Sequence, residues 1–324
     1  METSAVAQAF RRFNYQKYSS FIALVVLFLV SAFLSPFFTR PGNLVNILSQ
    51  VSYTGMISLG MAFVIITGGI DLSVGSLVAF DSLVGVMVMN YVLGSIHNEL
   101  VAIVTGIVAT LVLGAVTGLV NGITITRGRI APFIVTLGTM AIFRSLALFT
   151  GNAGEIQSQS NIYGEFGLAN VLWLPVPVWI MLFLALVLDI VLNRTRYGRY
   201  LCAVGSNTRV AVFSAINVDR VKVIAYTITG VLVAISSVLL SSRFNAVSTS
   251  NTGMGYELDA IAAVIVGGTP FTGGRGTIWG TIIGAIILGI INNMLNLLGV
   301  SAYLQGTVKG LVIIGAVYIQ RQRA

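Results

Sequence analysis

Residues 60–80 read GMAFVIITGGIDLSVGSLVAF, an apolar run interrupted by paired glycines and a single aspartate. In one interpretation Gly68 and Gly69 end a helix, and Asp71 or Ser73 caps the next helix by accepting its free N–H groups. In a second, the glycines allow a broken helix whose exposed backbone must line protein or a water-filled route. In a third, Asp71 is a proton or cation site, because ionisable groups within membranes are often functional. All four residues are therefore candidates for a translocation path or its gate.

The composition of the whole chain is that of a membrane protein. Of its 324 residues 56% are hydrophobic and 9% are charged, and the mean hydropathy is +0.94. A helix of about 20 apolar residues crosses a bilayer, and the segments that meet this requirement are 19–35, 44–67, 77–93, 100–126, 133–150, 175–192, 223–242, 278–298 and 304–319. A further segment near 256–270 is short or broken. The sequence thus predicts an all-α polytopic membrane protein, a single transmembrane domain over residues 1–324 with about ten spanning helices.

Basic residues are concentrated in short loops, and the positive-inside rule places such loops in the cytoplasm. This rule puts both termini, the N-terminal segment 1–18 and the loop 193–222 inside the cell, and the loops 151–174 and 243–259 outside. The net charge of +8 then requires no nucleic-acid partner. The only cysteine, Cys202, excludes an internal disulfide, and the only histidine, His97, cannot by itself make a metal site.

The chain contains two segments, 44–150 and 223–319, that look like distant copies of one four-span unit. One span precedes the first copy and six precede the second, so the copies would be inverted relative to each other. Glycines recur at four-residue spacing in the third span of each copy, where they let another helix approach; they are Gly114, Gly118 and Gly122 in the first and Gly276, Gly280 and Gly284 in the second. The second copy has its own break at 266–277, VGGTPFTGGRGT. Inverted repeats with paired breaks are typical of transporters.

Four stretches carry a resemblance to a known family: GMAFVIITGGIDLSVGSLVAF (60–80), RYGRYLCAVGSN (196–207), SAINVDRVK (214–222) and the long run from GYELDA to LLGVS (255–301). They resemble the permease subunit of ribose-type sugar ABC importers, and the similarity extends over nearly the whole chain. The resemblance implies a permease of the type II ABC importer class with two inverted repeats of four to five spans, in the inner membrane of a bacterial cell.

The loop 193–222 contains six of the 18 basic residues, and residues 207–217 within it can form a short helix with an apolar face. An apolar surface in the cytoplasm needs a cover. The resemblance implies that this segment is a coupling helix resting on the ATP-binding subunit. Its candidate contacts are Asn207, Arg209, Val212, Phe213 and Ile216. Relatives usually have a small and acidic opening here and a glycine at the position of Ala215, so Thr208, Arg209 and Val210 depart from the family pattern.

The chain lacks the phosphate-binding sequence GxxxxGK[ST], which predicts that ATP is hydrolysed on a separate subunit. The sequence also shows no metal-ligand cluster, nucleophile motif or cofactor signature, so we expect no enzymatic activity in the chain itself. Its main central charges are Asp71, Asp81 and Arg144, too few for a proton relay. Asp81 stands where relatives have a small or hydroxyl residue, and pairing with Arg144 would lower the cost of burying it.

The function implied is import of a monosaccharide, ribose or a similar sugar, by alternating access. The expected partners are the ATPase subunit, a second copy of the permease, membrane lipid, and an extracytoplasmic sugar-binding protein that docks near Glu155, Glu165, Glu257 and Asp259. Asn292, Asn293 and Asn296 are candidates for polar groups facing the path, although interhelical hydrogen bonding is an equally ordinary role for each.

Other classes of transporter stay open at this point. An ion-coupled secondary sugar transporter would work without an ATPase, and a channel or facilitator would equilibrate solute without an energy source. Within the ABC class, the solute could be another furanose, a nucleoside or a signalling furanone.

Overall fold

The computed structural model describes residues 15–321, with side chains described throughout 20–301 and at scattered positions beyond. Residues 1–14 of the predicted cytoplasmic N-terminal segment lie outside the described residues. Within the described range the chain is almost entirely helical, with helices α1 (Tyr15–Leu34), α2 (Pro41–Ile66), α3 (Val74–Ile96), α4 (Glu99–Gly128), α5 (Pro132–Thr150), α6 (Asn161–Leu168), α7 (Val176–Arg194), α8 (Arg196–Ser206), α9 (Thr208–Phe213), α10 (Val218–Phe244), α11 (Tyr256–Val266), α12 (Ile278–Leu297) and α13 (Ala302–Arg321).

Two small antiparallel sheets lie between the helices. One pairs β1 (Glu155–Gln157) with β4 (Ala246–Ser248), and the other pairs β2 (Asn170–Val171) with β3 (Leu174–Pro175). The first sheet is made of two distant parts of the chain, with Glu155 opposite Ser248. It therefore joins the loops 151–174 and 243–259, the two loops for which the charge pattern predicts the same side of the membrane.

Seven of the described helices are long and apolar enough to cross a bilayer: α2, α3, α4, α5, α7, α10 and α12. Helix α1 contributes a shorter apolar stretch, Ser20–Leu34. Helix α11 has only 11 residues, in agreement with the prediction of a short or broken segment near 256–270. The chain is therefore a multi-pass membrane protein, and each predicted span coincides with a helix.

Helix α2 forms the centre of the bundle and is buried along most of its length. It packs against α7, α10, α11 and α12. Large side chains such as Met56, Phe63 and Ile66 are fully enclosed. Because α2 is surrounded on all sides, a displacement at one of its ends is transmitted to the core around it.

The predicted glycine spacing marks real helix contacts. Carbon atoms added at Gly114, Gly118 and Gly122 of α4 would collide with the backbone of α10, so these glycines allow the two helices to touch. In α12, Gly280 and Gly284 likewise allow close contact with the backbone of Gly267 and Ala263. The prediction for Gly276 was wrong, because α12 begins only at Ile278 and Gly276 lies in the preceding break.

Two helices begin inside the bundle after an irregular segment. Residues 67–73 lead into α3, and the carbonyl of Ile70 there accepts hydrogen bonds from Tyr226 of α10 at 3.1 Å and from Thr136 of α5 at 3.4 Å. Residues 245–255 lead into α11. The two helix starts meet, since Gly75 packs against the Gly253 carbonyl and the Glu257 carboxylate. The start of α3 therefore faces the segment 245–255, while Gly68 at the beginning of the same break lies against Gly273 of the predicted second break, 266–277.

Candidate translocation path and coupling surface

The glycine pair after α2 ends the helix, as the first interpretation of the sequence proposed. Gly68 has a φ of +77°, a left-handed conformation that glycine adopts without strain. The amides of Gly68 and Gly69 bond back to the carbonyls of Ile65 and Val64 at 2.8 and 3.1 Å. These bonds satisfy carbonyls that the end of a helix would otherwise leave free.

Asp71 lies buried between the end of α2 and the start of α3, with 3% of its surface exposed. Its Oδ1 accepts hydrogen bonds from the Ser73 amide at 2.9 Å and the Ser73 hydroxyl at 2.6 Å. Asn121 of α4 donates to the same hydroxyl at 3.0 Å. Asp71 thus shapes the turn that precedes α3, but the Ser73 side chain accepts from no amide of this helix, so the predicted cap does not form in the expected way.

Three separate parts of the chain meet at the end of α2, and we call this contact the junction; it consists of Ile66, Gly205, Ser206 and Gly274. The Gly274 amide donates to the Ile66 carbonyl at 2.9 Å. The Ser206 hydroxyl donates to the Gly274 carbonyl at 3.4 Å. A carbon atom added at Gly205 would collide with both Ile66 and Gly274. The junction brings the predicted break at 266–277 and the end of α8 onto the central helix.

Helices α8 and α9 form the surface for which the sequence predicted coupling. Asn207 lies between them and caps α9, because its side chain accepts from the amides of Arg209 at 3.0 Å and Val210 at 3.1 Å. The predicted helix 207–217 is shorter and ends at Phe213. Ala215 follows with a φ of +59°, a left-handed conformation that glycine adopts more easily than alanine.

The apolar side chains of this surface divide into two groups. Val212 and Phe213 are exposed by 58% and 89%, and Arg209 is exposed beside them. Ile216 instead is partly buried and packs against the core of the permease. On α8, burial raises the pKa of the Cys202 thiol, which favours its protonated form.

Beside the middle of α2 the helices line a polar cavity of about 390 Å³. Its wall comes from α2, α10, α11, α12 and α13. The side chains with polar groups in this wall are Gln50, Tyr53, Thr54, Arg243, Tyr256, Asp259, Asn292, Asn296, Gln305 and Lys309. The predictions for Asn292 and Asn296 therefore fall on a cavity, whereas Gly68, Gly69, Asp71 and Ser73 lie elsewhere.

Asn293 is turned away from the cavity. Its side-chain amide and that of Asn43 exchange hydrogen bonds at 2.8 and 3.0 Å. The pair ties α12 to α2, which is the interhelical role that the sequence left open for this residue. Successive helix residues point about 100° apart, so Asn292 and Asn293 necessarily face different neighbours.

The charged groups of the cavity are held by neighbouring side chains. Lys309 and Asp259 form an ion pair at 2.9 Å. Arg243 donates to the Asn46 Oδ1 at 3.2 Å and to the Ser49 hydroxyl. These partners offset part of the cost of burying charge.

The four acidic residues predicted to dock a binding protein are divided by the structure. Glu155 in β1 and Glu165 in α6 are exposed. Asp259 is buried in its ion pair, and Glu257, in the first turn of α11, is half-buried with its carboxylate against Gly75 of α3. Near Glu165, burial raises the pKa of Tyr163 to about 12.

Arg144 has a role that sequence reasoning missed. Its guanidinium donates to the carbonyls of Thr249, Ser250 and Thr252 at 2.9, 3.2 and 3.2 Å, and so fastens the segment that leads into α11. The suggested pairing with Asp81 was wrong. Asp81 is fully buried beside Gly114, and its two carboxylate oxygens have no hydrogen-bond partner among residues 20–301 and the described side chains beyond. An arginine within a predicted spanning helix was the one available signal.

Comparisons with known proteins agree with this architecture. A family model described as branched-chain amino acid transport system / permease component matches residues 43–317. The ribose import permease protein RbsC of Bacillus subtilis (strain 168) is 42% identical over 312 residues, which cover 95% of this chain and 94% of that protein. No solved structure matches the chain.

Two proteins of Escherichia coli (strain K12) are similar over the same length. The ribose import permease protein RbsC is 42% identical over 308 residues, covering 94% of this chain and 93% of the relative. The D-allose transport system permease protein AlsC is 37% identical over 308 residues, covering 95% and 92%. These matches confirm the resemblance drawn from the motifs, and the chain belongs to this family of transport-system permeases, among the ribose-type permeases of ABC importers.

Proposed function

We propose that this chain is the membrane-spanning permease of an ATP-driven importer and that its cargo is a monosaccharide, ribose or a similar sugar. Relatives that match nearly the whole chain are named for ribose and allose transport. ATP hydrolysis takes place on a separate subunit, because the chain has no phosphate-binding loop of its own.

The observation that carries this proposal is the continuity of α2 between the coupling surface and the polar cavity. At Ile66 the helix is bonded to the junction beside α8. At Gln50, Tyr53 and Thr54 it lines the cavity. The distance along the helix from Thr54 to Ile66 is about 18 Å. A force applied to α8 and α9 by an ATPase subunit therefore has a rigid route to the cavity wall.

The coupling step works through the exposed face of α9. Val212 and Phe213 insert into a groove of the ATPase, with Arg209 and the Asn207 cap positioning them. Closure of the ATPase moves α8 against the junction, and α2 carries the movement into the bundle. Movement of the helix ends is taken up by two irregular segments, one containing Gly68, Gly69, Asp71 and Ser73 and the other formed by 266–277. The backbone of these segments can change conformation, whereas the regular helices α2, α3 and α12 stay rigid.

The fold of the proposed importer has ten crossings in two inverted repeats, with both termini in the cytoplasm. The seven long helices are completed by α1, α11 and α13. Packing supports the repeat: α2 contacts α11 and α12, while α10 contacts α3 and α4. If the first copy (α2 to α5) corresponds to the second (α10 to α13), α2 is equivalent to α10, α3 to α11 and α4 to α12. The contacts of α2 with α11 and α12 are then equivalent to those of α10 with α3 and α4. The starts of α3 and α11 meet as the axis of such a repeat requires.

The proposed partners use the outer surfaces of the bundle. A sugar-binding protein docks on the surface around β1, β4 and α6, where Glu155 and Glu165 are exposed. A second permease copy completes a homodimer, and lipid covers the remaining apolar helix faces. A groove of about 410 Å³ between α1, α2 and α12, lined by Leu24, Phe28, Phe38, Ile47 and Ile290 among others, suits a lipid chain.

Reconstitution tests this function. The purified permease is placed in vesicles alone, with its ATPase subunit, and with the ATPase subunit and the binding protein. We expect uphill D-ribose uptake only in the complete system and only with ATP. Uphill uptake by the permease alone that stops when ion gradients are dissipated would establish a secondary transporter instead. Downhill equilibration alone would establish a facilitator. A panel of D-allose, L-arabinose and a nucleoside identifies the cargo if D-ribose is not carried.

A further inference from the structure

Two side chains that line the polar cavity carry hydrogen-bonding atoms that the protein leaves unused. The Tyr53 hydroxyl and the Asn292 Oδ1 are both buried, and neither has a hydrogen-bond partner among the described residues. Tyr53 itself is 2% exposed. A buried polar group without a partner is costly, so native proteins rarely keep one without a reason. Because both atoms belong to side chains that line one cavity, a side-chain rotation brings them to a ligand there, which supplies the missing partners.

The other residues that line the cavity indicate which class of ligand it can bind. The cavity volume of about 390 Å³ lies in the range of small-molecule sites, which combine aromatic and apolar walls with a few polar groups. Tyr53 and Tyr256 provide aromatic surface, and Leu240, Leu288 and Ala285 provide aliphatic surface. Gln50, Asn292 and Asn296 provide amides from α2 and α12 that can both donate and accept. A compact ring with several hydroxyl groups matches this pattern.

The charges of the cavity favour an uncharged ligand. Among the side chains that line it, Arg243 and Lys309 are cations and Asp259 is an anion. Lys309 is already paired with Asp259, and Arg243 is held by Asn46 and Ser49. The excess of one positive charge disfavours a cationic solute. Each of these three charged side chains already has a partner within the protein, so none requires a charged ligand.

We propose that this cavity is a recognition site for a neutral monosaccharide in transit, with Asn292 and Tyr53 as its hydrogen-bonding residues. The proposal rests on the proposed function and extends it, since the permease then selects its cargo in addition to the selection made by a binding protein. It also separates two neighbouring residues of α12: Asn292 contacts the sugar, whereas Asn293 holds α12 to α2.

A cysteine reporter tests the site without relying on transport. Thr54→Cys places a thiol in the cavity wall, and Cys202→Ala removes the only native cysteine. The variant is assembled with its ATPase subunit in nanodiscs, and its alkylation by a maleimide is timed with and without millimolar D-ribose, with choline chloride as a cationic control. We expect D-ribose to slow alkylation and choline to have no effect. Adding Asn292→Ala or Tyr53→Phe should abolish the protection, whereas adding Asn293→Ala should preserve it.

Transport by the complete complex gives the second readout. Asn292→Ala should lower D-ribose uptake about tenfold, the effect of one lost hydrogen bond of about 1.4 kcal/mol, while the ATPase activity of the complex persists. The wild-type complex can import D-ribose although the sugar does not protect Thr54→Cys and Asn292→Ala does not lower uptake. That result would disprove the recognition site and leave the proposed importer function intact. If no sugar is imported with ATP by the wild-type complex, the importer itself is disproved, and this proposal with it.

Discussion

The amide of Gly274 donates a hydrogen bond to the carbonyl of Ile66 at 2.9 Å, which fixes the last turn of α2 to the loop before α12. Gly205 packs against both residues from the end of α8. Three segments that are far apart in sequence thus share one backbone contact. The contact joins backbone atoms and contains no side chain that could rotate to make space, so its geometry depends on the glycines.

Gly205→Ala should therefore disturb the junction. The added methyl group meets backbone atoms of Ile66 and Gly274, and overpacking of this kind costs about 1–3 kcal/mol. We expect a lower melting temperature in nanodiscs and fewer sugar molecules imported per ATP hydrolysed. Gly138→Ala on α5 is the matched control, because nothing lies within 4 Å of its added carbon. An unchanged ratio of sugar to ATP in Gly205→Ala would remove the junction from the coupling route.

Phe213→Asp should prevent assembly with the ATPase subunit while leaving the permease in the membrane. Phe213 is 89% exposed on α9, so the substitution costs little within the permease itself but places a charge where an apolar contact is proposed. Co-purification of the ATPase subunit measures the effect. Phe166→Asp on α6 changes another exposed phenylalanine and should keep assembly intact. Equal recovery of the ATPase subunit with both variants would place the contact elsewhere.

Arg144→Gln should loosen the segment that leads into α11. Hydrogen bonds from a charged donor contribute about 1.5–3 kcal/mol each, and Arg144 makes such bonds to Thr249, Ser250 and Thr252. Hydrogen exchange of the amides in 246–255 should accelerate by about tenfold or more. Arg40→Gln is the control, since Arg40 lies over the Phe37 ring. Exchange that stays as slow as in the wild type would show that other contacts hold this segment.

Asp81 and Asp71 should respond to substitution in opposite directions. Asp81→Ser removes a fully buried carboxyl that has no partner among the described residues, so the melting temperature should rise. Asp71→Ala deletes the acceptor of two bonds from Ser73, so the melting temperature should fall. Thermal unfolding in nanodiscs compares the two. A fall with Asp81→Ser would mean that this carboxyl contributes an interaction that stabilises the fold.

Local features of this protein followed from the sequence because they depend on neighbouring residues. The apolar runs predicted the helices, since about 20 such residues suffice to cross a bilayer. Asn207 caps α9 through its own following amides, and Gly68 and Gly69 end α2 through bonds within five residues. The spacing of Gly114, Gly118 and Gly122 indicated a helix contact before its partner, α10, was known.

The partners of polar groups were decided only by the tertiary structure. Asn292 and Asn293 are identical residues side by side, yet the rotation of α12 sends one to the cavity and the other to Asn43. Asp259 pairs with Lys309, which lies 50 residues further along the chain. Arg144 does not pair with Asp81 and instead binds carbonyls more than 100 residues away. Such contacts depend on how whole helices pack and rotate against one another, and residue spacing within one helix carries no information about the helix that will face it.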